Sequence, residues 1–169
     1  LGSAAMRLST DTSFNIAIGD SALNNVSGQK NVALGISALR NCTSGERNTA
    51  IGYLAATSIS NGYSNIAIGE GSGNMMTQGG NNISIGVYSK ASVIGTDNIG
   101  IGRLTFNKLG TSSSNPTNNN IGIGFRTMYS IEEGNNNVAL GELSGTGCSN
   151  GNNNVFIGTR SFNLGSPTA

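Results

Sequence analysis

One pattern recurs nine times along the chain: asparagine, a β-branched residue, a small residue, an aliphatic residue and glycine. The copies begin at Asn15, Asn31, Asn48, Asn65, Asn82, Asn98, Asn120, Asn137 and Asn154. Their starts lie 16 or 17 residues apart, except for one interval of 22 between Asn98 and Asn120. With asparagine as position 1, positions 2 and 4 are apolar in nearly every copy and position 3 is small. That alternation predicts a short strand with one buried face. A second apolar position falls at 12, occupied by Val26, Cys42, Ile59, Met76, Val93, Leu109, Ile131 and Cys148, and predicts a second inward-facing strand. Position 8 is always Ala, Ser or Thr, as expected where two backbones pass closely. Gly-, Asn- and Ser-rich stretches such as 60–64 read as the turns that close each repeat.

Strand, glycine turn, second strand and Gly/Asn return make one coil of a parallel β-solenoid. The fold class expected is therefore all-β, a β-roll of about 17 residues per coil. The position-1 asparagines then stack into a column, able to hydrogen-bond from coil to coil as in other stacked β structures. With only positions 2, 4 and 12 reliably apolar, one chain is expected to enclose too little core. Burial of the apolar face against symmetry mates resolves this, and predicts a homotrimeric rod in which Ile18, Ile51, Ile68 and Ile101 are inaccessible. A triangular solenoid of 18 residues per coil would require an apolar residue every six positions, which the chain lacks. The array spans 15–163, preceded at 1–14 by the end of a partial repeat, interrupted by an insertion at 111–117 and followed at 164–169 by a truncated return. Because both ends fall inside a repeat, a fragment of a longer array is expected.

Composition agrees with an ordered, turn-rich chain: 26 glycines among 169 residues supply the turns, and 36% hydrophobic residues in regular positions argue against disorder. A formal net charge of +1 without basic clusters predicts no nucleic-acid partner. No apolar run is long enough to span a bilayer, so no membrane insertion by this segment is expected. The cysteines, Cys42 and Cys148, are too few for a disulfide framework and both occupy the inward position 12.

Catalysis and cofactors are not expected. The chain has no histidine, which removes Ser-His-Asp and Cys-His arrangements and most zinc sites. Asp20, Glu70 and Glu142 all fall at position 6 but three or more coils apart, too far for a glycosidase pair. Three sequons, at Asn25, Asn41 and Asn82, are attributed to chance in so Asn-rich a chain. Two features are candidates for surface contact. The insertion, with Ser113 and Asn115, should protrude, and the aromatics Tyr53, Tyr88 and Phe125 present ring faces suited to sugars. A flat ice-binding face would need a regular Thr rank, which is missing.

The repeats starting at Asn31 and Asn48, with Asn-Val-Ala-Leu-Gly-Ile-Ser-Ala-Leu and Asn-Thr-Ala-Ile-Gly-Tyr, resemble the head repeats of YadA-like trimeric autotransporter adhesins and the similar repeats of bacteriophage tail fibres. The likeness covers about nine-tenths of the chain. It implies a left-handed trimeric β-roll whose aliphatic residues face the trimer interior. The function so implied is that of a rigid tail-fibre shaft on the virion surface, contacting host surface glycan or protein. The alternatives are a bacterial adhesin head on the cell surface and a solenoid enzyme acting on polysaccharide.

Overall fold

The computed structural model describes residues 2–8, 13–90, 94–108 and 116–163. Each pattern copy forms a three-residue strand: β1 (Ile16–Ile18), β2 (Val32–Leu34), β3 (Thr49–Ile51), β4 (Ile66–Ile68), β5 (Ile83–Ile85), β6 (Ile99–Ile101), β7 (Ile121–Ile123), β8 (Val138–Leu140) and β9 (Val155–Ile157). They pair in parallel as one sheet in sequence order, β1 to β9. Equivalent residues lie side by side, as in Ile66↔Ile83, Ala67↔Ser84 and Ile68↔Ile85. At strand spacing the stack is roughly 40 Å long. The chain is thus a β-solenoid of about 17 residues per coil.

The rest of each coil differs from expectation. No second strand follows the glycine turn among the described residues; positions 6–12 instead form a chain of turns. Position 7, position 9 and the residue before each ladder asparagine have positive φ almost throughout, for example Ser37 (57°), Leu39 (50°) and Arg47 (58°). A left-handed conformation costs a non-glycine residue about 1–2 kcal/mol. Its benefit here is to aim alternate amides in opposite directions along the rod, while the one between bonds within its own coil, as Ala38 N–H does to the Gly35 carbonyl. Ser37 N–H donates to the Asp20 carbonyl of the preceding coil at 2.8 Å, whereas Leu39 N–H donates to the Ala55 carbonyl of the following coil at 3.0 Å. An extended strand is therefore not needed to satisfy this wall of the solenoid.

Side-chain direction is the second correction. The small residue at position 3 points into the coil: Ala33, Ala50, Ala67, Ser84 and Ala139 are fully buried. Positions 2 and 4 point outward and are half-buried or exposed in every strand. One chain does close a core, contrary to expectation, because that core is slim. It is built from position 3, the small position 8 (Ala22, Ala38, Ala55), position 9 (Leu23, Leu39) and position 12 (Val26, Cys42, Ile59, Met76). Val93 and Leu109 of the position-12 column lie outside the described residues.

Position 9 exchanges volume with position 3 across this narrow space. Phe106 at position 9 is fully buried, and the flanking position-3 residues are Gly100 and Gly122, where an added Cβ would lie 3.0 and 2.9 Å from its ring. The relation inverts near the end of the array. Phe156 takes position 3, Gly145 takes position 9, and a Cβ on Gly145 would approach that ring to 2.9 Å. Phe156 also stacks on Phe162, with ring centroids 5.3 Å apart.

The glycines at position 5 have no substitute. Gly69 has φ +122°, and a Cβ there would sit 2.8 Å from the carbonyl carbon of Gly86 one coil on. We expect Gly69→Ala to cost about 3–5 kcal/mol, combining left-handed strain with a clash against backbone. Ser84→Ala should do the reverse. The Ser84 hydroxyl is buried without a hydrogen-bond partner at a position where other coils carry Ala, so its removal should stabilise by about 1 kcal/mol. Urea unfolding of both variants checks the opposite signs.

Candidate functional site

The most highly ordered chemical feature is the asparagine column. Asn31, Asn48, Asn65, Asn82, Asn98, Asn120 and Asn137 are buried, with Asn15 and Asn154 half-buried at the two ends. From Asn48 to Asn137 each amide does three things. Asn65 Nδ2 donates to Asn48 Oδ1 at 3.0 Å and to the Gly79 carbonyl of its own return turn at 2.8 Å. Asn65 Oδ1 in turn accepts from Asn82 N–H at 3.0 Å and Asn82 Nδ2 at 3.1 Å. The side chain therefore closes its own coil and fastens it to both neighbours. Only a short side chain with both donors and acceptors can do this.

The same contacts continue across the long interval. Asn120 N–H and Nδ2 reach Asn98 Oδ1 at 3.1 and 3.0 Å although 22 residues separate the two. Asn98 Nδ2 takes the Thr117 carbonyl, at 2.7 Å, where other coils offer a glycine. Glycine is used elsewhere because these return turns also abut one another. A Cβ on Gly62 would lie 2.7 Å from the Gly79 carbonyl oxygen and 3.0 Å from Asn65 Nδ2.

A second ladder escaped the sequence reading. Asn135 N–H donates to Asn152 Oδ1, and Asn118 N–H to Asn135 Oδ1, each at 2.8 Å. The direction opposes the inner column, since here the later residue accepts from the earlier. Its signal was the Asn-Asn-Asn triplets at 118–120, 135–137 and 152–154. In each, the first residue joins the outer ladder and the third the inner one. The middle residue, Asn119, Asn136 or Asn153, sits at φ of 57–59°, which asparagine tolerates well.

Outside the ladders the aliphatic strand residues form two columns. Ile16, Ile18, Leu34, Ile123, Val155 and Ile157 are 40–67% exposed, and Ile51, Ile68 and Ile101 are half-buried in the single chain. The aromatics Tyr53 and Tyr88 are exposed and Phe125 half-buried, on coils 3, 5 and 7, so they form no common platform. Tyr88 hydroxyl donates to Glu70 Oε1 at 3.1 Å, and that carboxylate holds the phenol above its ordinary pKa. Ser113 and Asn115 lie outside the described residues.

Phe125 instead gathers cations. Arg103 Cζ lies 4.4 Å and Arg126 Cζ 5.2 Å from the Phe125 ring centroid, with Arg126 Cζ also 5.3 Å from that of Tyr129. Sequence reasoning passed over Arg103, Arg126 and Tyr129, because positions 6, 7 and 10 are individually tolerant and only the coil geometry superposes them.

The remaining reactive groups are dispersed. Asp20, Glu70 and Glu142 stand on coils 1, 4 and 8, and among the described residues no three His, Cys, Asp or Glu side chains gather as a metal site. Cys42 and Cys148 are free and buried; desolvation raises the Cys42 thiol to about 11 and shifts Cys148 in the same direction. Both are neutral core fillers at neutral pH. Among the described residues no helix is long and apolar enough to cross a membrane.

Replacing Asn65 by Ala should leave Asn82 N–H without a partner and the Gly79 carbonyl with only the longer bond from Tyr63 N–H, costing about 2–3 kcal/mol. Asn65→Asp should be worse at neutral pH, since a carboxylate would face Asn48 Oδ1 and the Gly79 carbonyl with no proton to donate. Burial raises that carboxyl above its unfolded value near 4, so the defect should be small below about pH 4 and grow as pH rises through the folded pKa. Thermal melting across pH checks the sign.

Compared with family models, with curated proteins and with solved structures, the chain gives no match.

Proposed function

We propose that this solenoid is a shaft segment of a homotrimeric surface-attachment fibre, most closely a phage tail fibre, and that it acts mechanically rather than as an enzyme. The observation that carries the reading is the outward aliphatic pair at positions 2 and 4. Every strand but β3, which carries Thr49 at position 2, presents it in register on the same side of the rod. Ile16, Ile18, Val155 and Ile157 are about half or more exposed, and the stripe runs continuously between them. A regular apolar stripe on a soluble chain marks an interface.

Copies of the same chain are the occupant we assign to it. Each strand except β3 offers two aliphatic side chains, drawn from Ile, Val and Leu, at one repeat spacing, so an identical rod meets it coil for coil. A cyclic arrangement covers every copy's stripe at once, whereas an open one leaves a stripe bare. Three chains around one axis bring three narrow stripes into a single aliphatic column. Stiffness follows from the ladders and from eight consecutive in-register pairings, properties suited to holding a binding tip at a distance.

Light scattering on the purified chain should give three times the 17.1 kDa chain mass. A stable monomer of 17.1 kDa would refute the assignment. Ile68→Asp should dissociate the trimer, since it places three carboxylates near the axis at a desolvation cost of several kcal/mol each. In a monomeric rod the same half-exposed site would tolerate the change.

A further inference from the structure

Arg103, Phe125, Arg126 and Tyr129 form the one place among the described residues where cations lie over aromatic rings. One contact is inter-coil, from position 6 of the sixth coil to position 6 of the seventh, and the other two join positions 6, 7 and 10 of the seventh. Arg103 lies over Phe125, and Arg126 lies between Phe125 and Tyr129, at the distances given above. Among the described residues neither guanidinium has a carboxylate within 4.0 Å; the ion pairs there are Arg47–Glu46 and Lys108–Glu132. Glu142, at position 6 of the eighth coil, is exposed and pairs with neither arginine. Two cations are thus held by ring faces while their N–H edges remain open to solvent. Stacking of this kind restrains a guanidinium without consuming its fork of donors.

Beside Arg126 and Tyr129 lies a depression of about 370 Å³, whose walls also include Ser130, Leu143, Thr146 and Asn163. That volume is at the small end of ligand sites, roughly 300–1,000 Å³. Its lining combines one aromatic face, one cation and several hydroxyl and amide groups. Thr146 hydroxyl already donates to the Leu143 carbonyl at 3.1 Å, which leaves its oxygen free to accept. A pyranose ring has the complementary make-up: an apolar C–H face for Tyr129, equatorial hydroxyls for Ser130 and Thr146, and, if it bears a carboxylate, an anion for the arginine fork. None of these residues lies on the outer strand face, so a trimer joined through that face does not use them.

We propose that this cluster is a binding site for a carboxylate-bearing sugar unit of a surface polysaccharide, with Arg126 and Tyr129 as its principal contacts and Arg103 as a second cation. The proposal deepens the attachment reading and rests on it only for the source of the sugar. Trimer mass and sugar affinity are separate readouts, so one can fail without the other.

The test is calorimetric titration of the intact protein with a glucuronic-acid-containing oligosaccharide and with the same oligosaccharide as its methyl ester. The expected result is that the acid binds at least roughly ten-fold more tightly than the ester, the increment of one charge-assisted hydrogen-bonded contact. Arg126→Ala and Tyr129→Ala should each weaken the acid by a similar factor, whereas Arg47→Ala, on the second coil, should change nothing. Equal affinity for acid and ester, no heat from the acid at millimolar concentration, or undiminished binding by Arg126→Ala would overturn the proposal. So would tighter binding of a phosphorylated oligosaccharide or an acidic peptide. The acid–ester comparison uses the unaltered chain and stays decisive if a variant unfolds.

Discussion

A buried primary amide has to satisfy two donors and an acceptor, and in this protein that single requirement sets the spacing of everything else. Each ladder asparagine must reach the amide below it, the amide above it and a carbonyl on its own return turn. The first two contacts impose strand registration and the third fixes where the coil closes. Loop length is left free. The 22-residue interval between Asn98 and Asn120 therefore leaves Ile99 opposite Ile121, as if the extra residues were absent. Registration in a flat parallel sheet is ordinarily set by the hydrophobic pattern. Here a polar column sets it, and the apolar residues are released for other uses.

Two consequences follow for packing. The interior needs only small side chains, because short coils bring the strand close to the opposite wall; Ala, Ser and Gly fill position 3, and one large residue per neighbourhood, such as Phe106, is offset by adjacent glycines. The bulky aliphatics at positions 2 and 4 are surplus to that interior. They face out on every coil, and this excess apolar surface is what an associating fibre would use. The wall opposite the strands is built from alternating left-handed residues. Their strain is offset by hydrogen bonds directed to both neighbouring coils, as at Ser37 and Leu39.

Much of this could be read from spacing alone, and the errors have a common physical origin. A recurring Asn with a fixed interval implied stacked coils because nothing else repeats a buried polar residue so regularly. The alternation at positions 2 to 4 does not say which side is inside: apolar residues ordinarily face inward, yet in so thin a coil there is room only for Ala33 or Ala67. The second strand was inferred from the apolar position 12, a residue that turns can bury equally well, and Ile59 and Met76 are buried in that way. Left-handed Leu39, Phe106 and Met128 carry no sequence signal, since neither Leu, Phe nor Met favours positive φ. The Arg103–Phe125–Arg126–Tyr129 cluster was hidden for another reason. Phe125, Arg126 and Tyr129 lie 22, 23 and 26 residues beyond Arg103, and only stacking across the long interval brings Arg103 to them.

The central claim is that the inner asparagine ladder, more than the slim apolar core, holds successive coils together. Side-chain amide hydrogen exchange at Asn48, Asn65, Asn82 and Asn120, followed by NMR on the intact protein, tests this directly. The account predicts that these Nδ2 protons exchange as slowly as the strand amides of Ile66 and Ile83, and are released only with global unfolding. Ladder amides that exchange at the rate of exposed asparagines, while the strand amides remain protected, would contradict it.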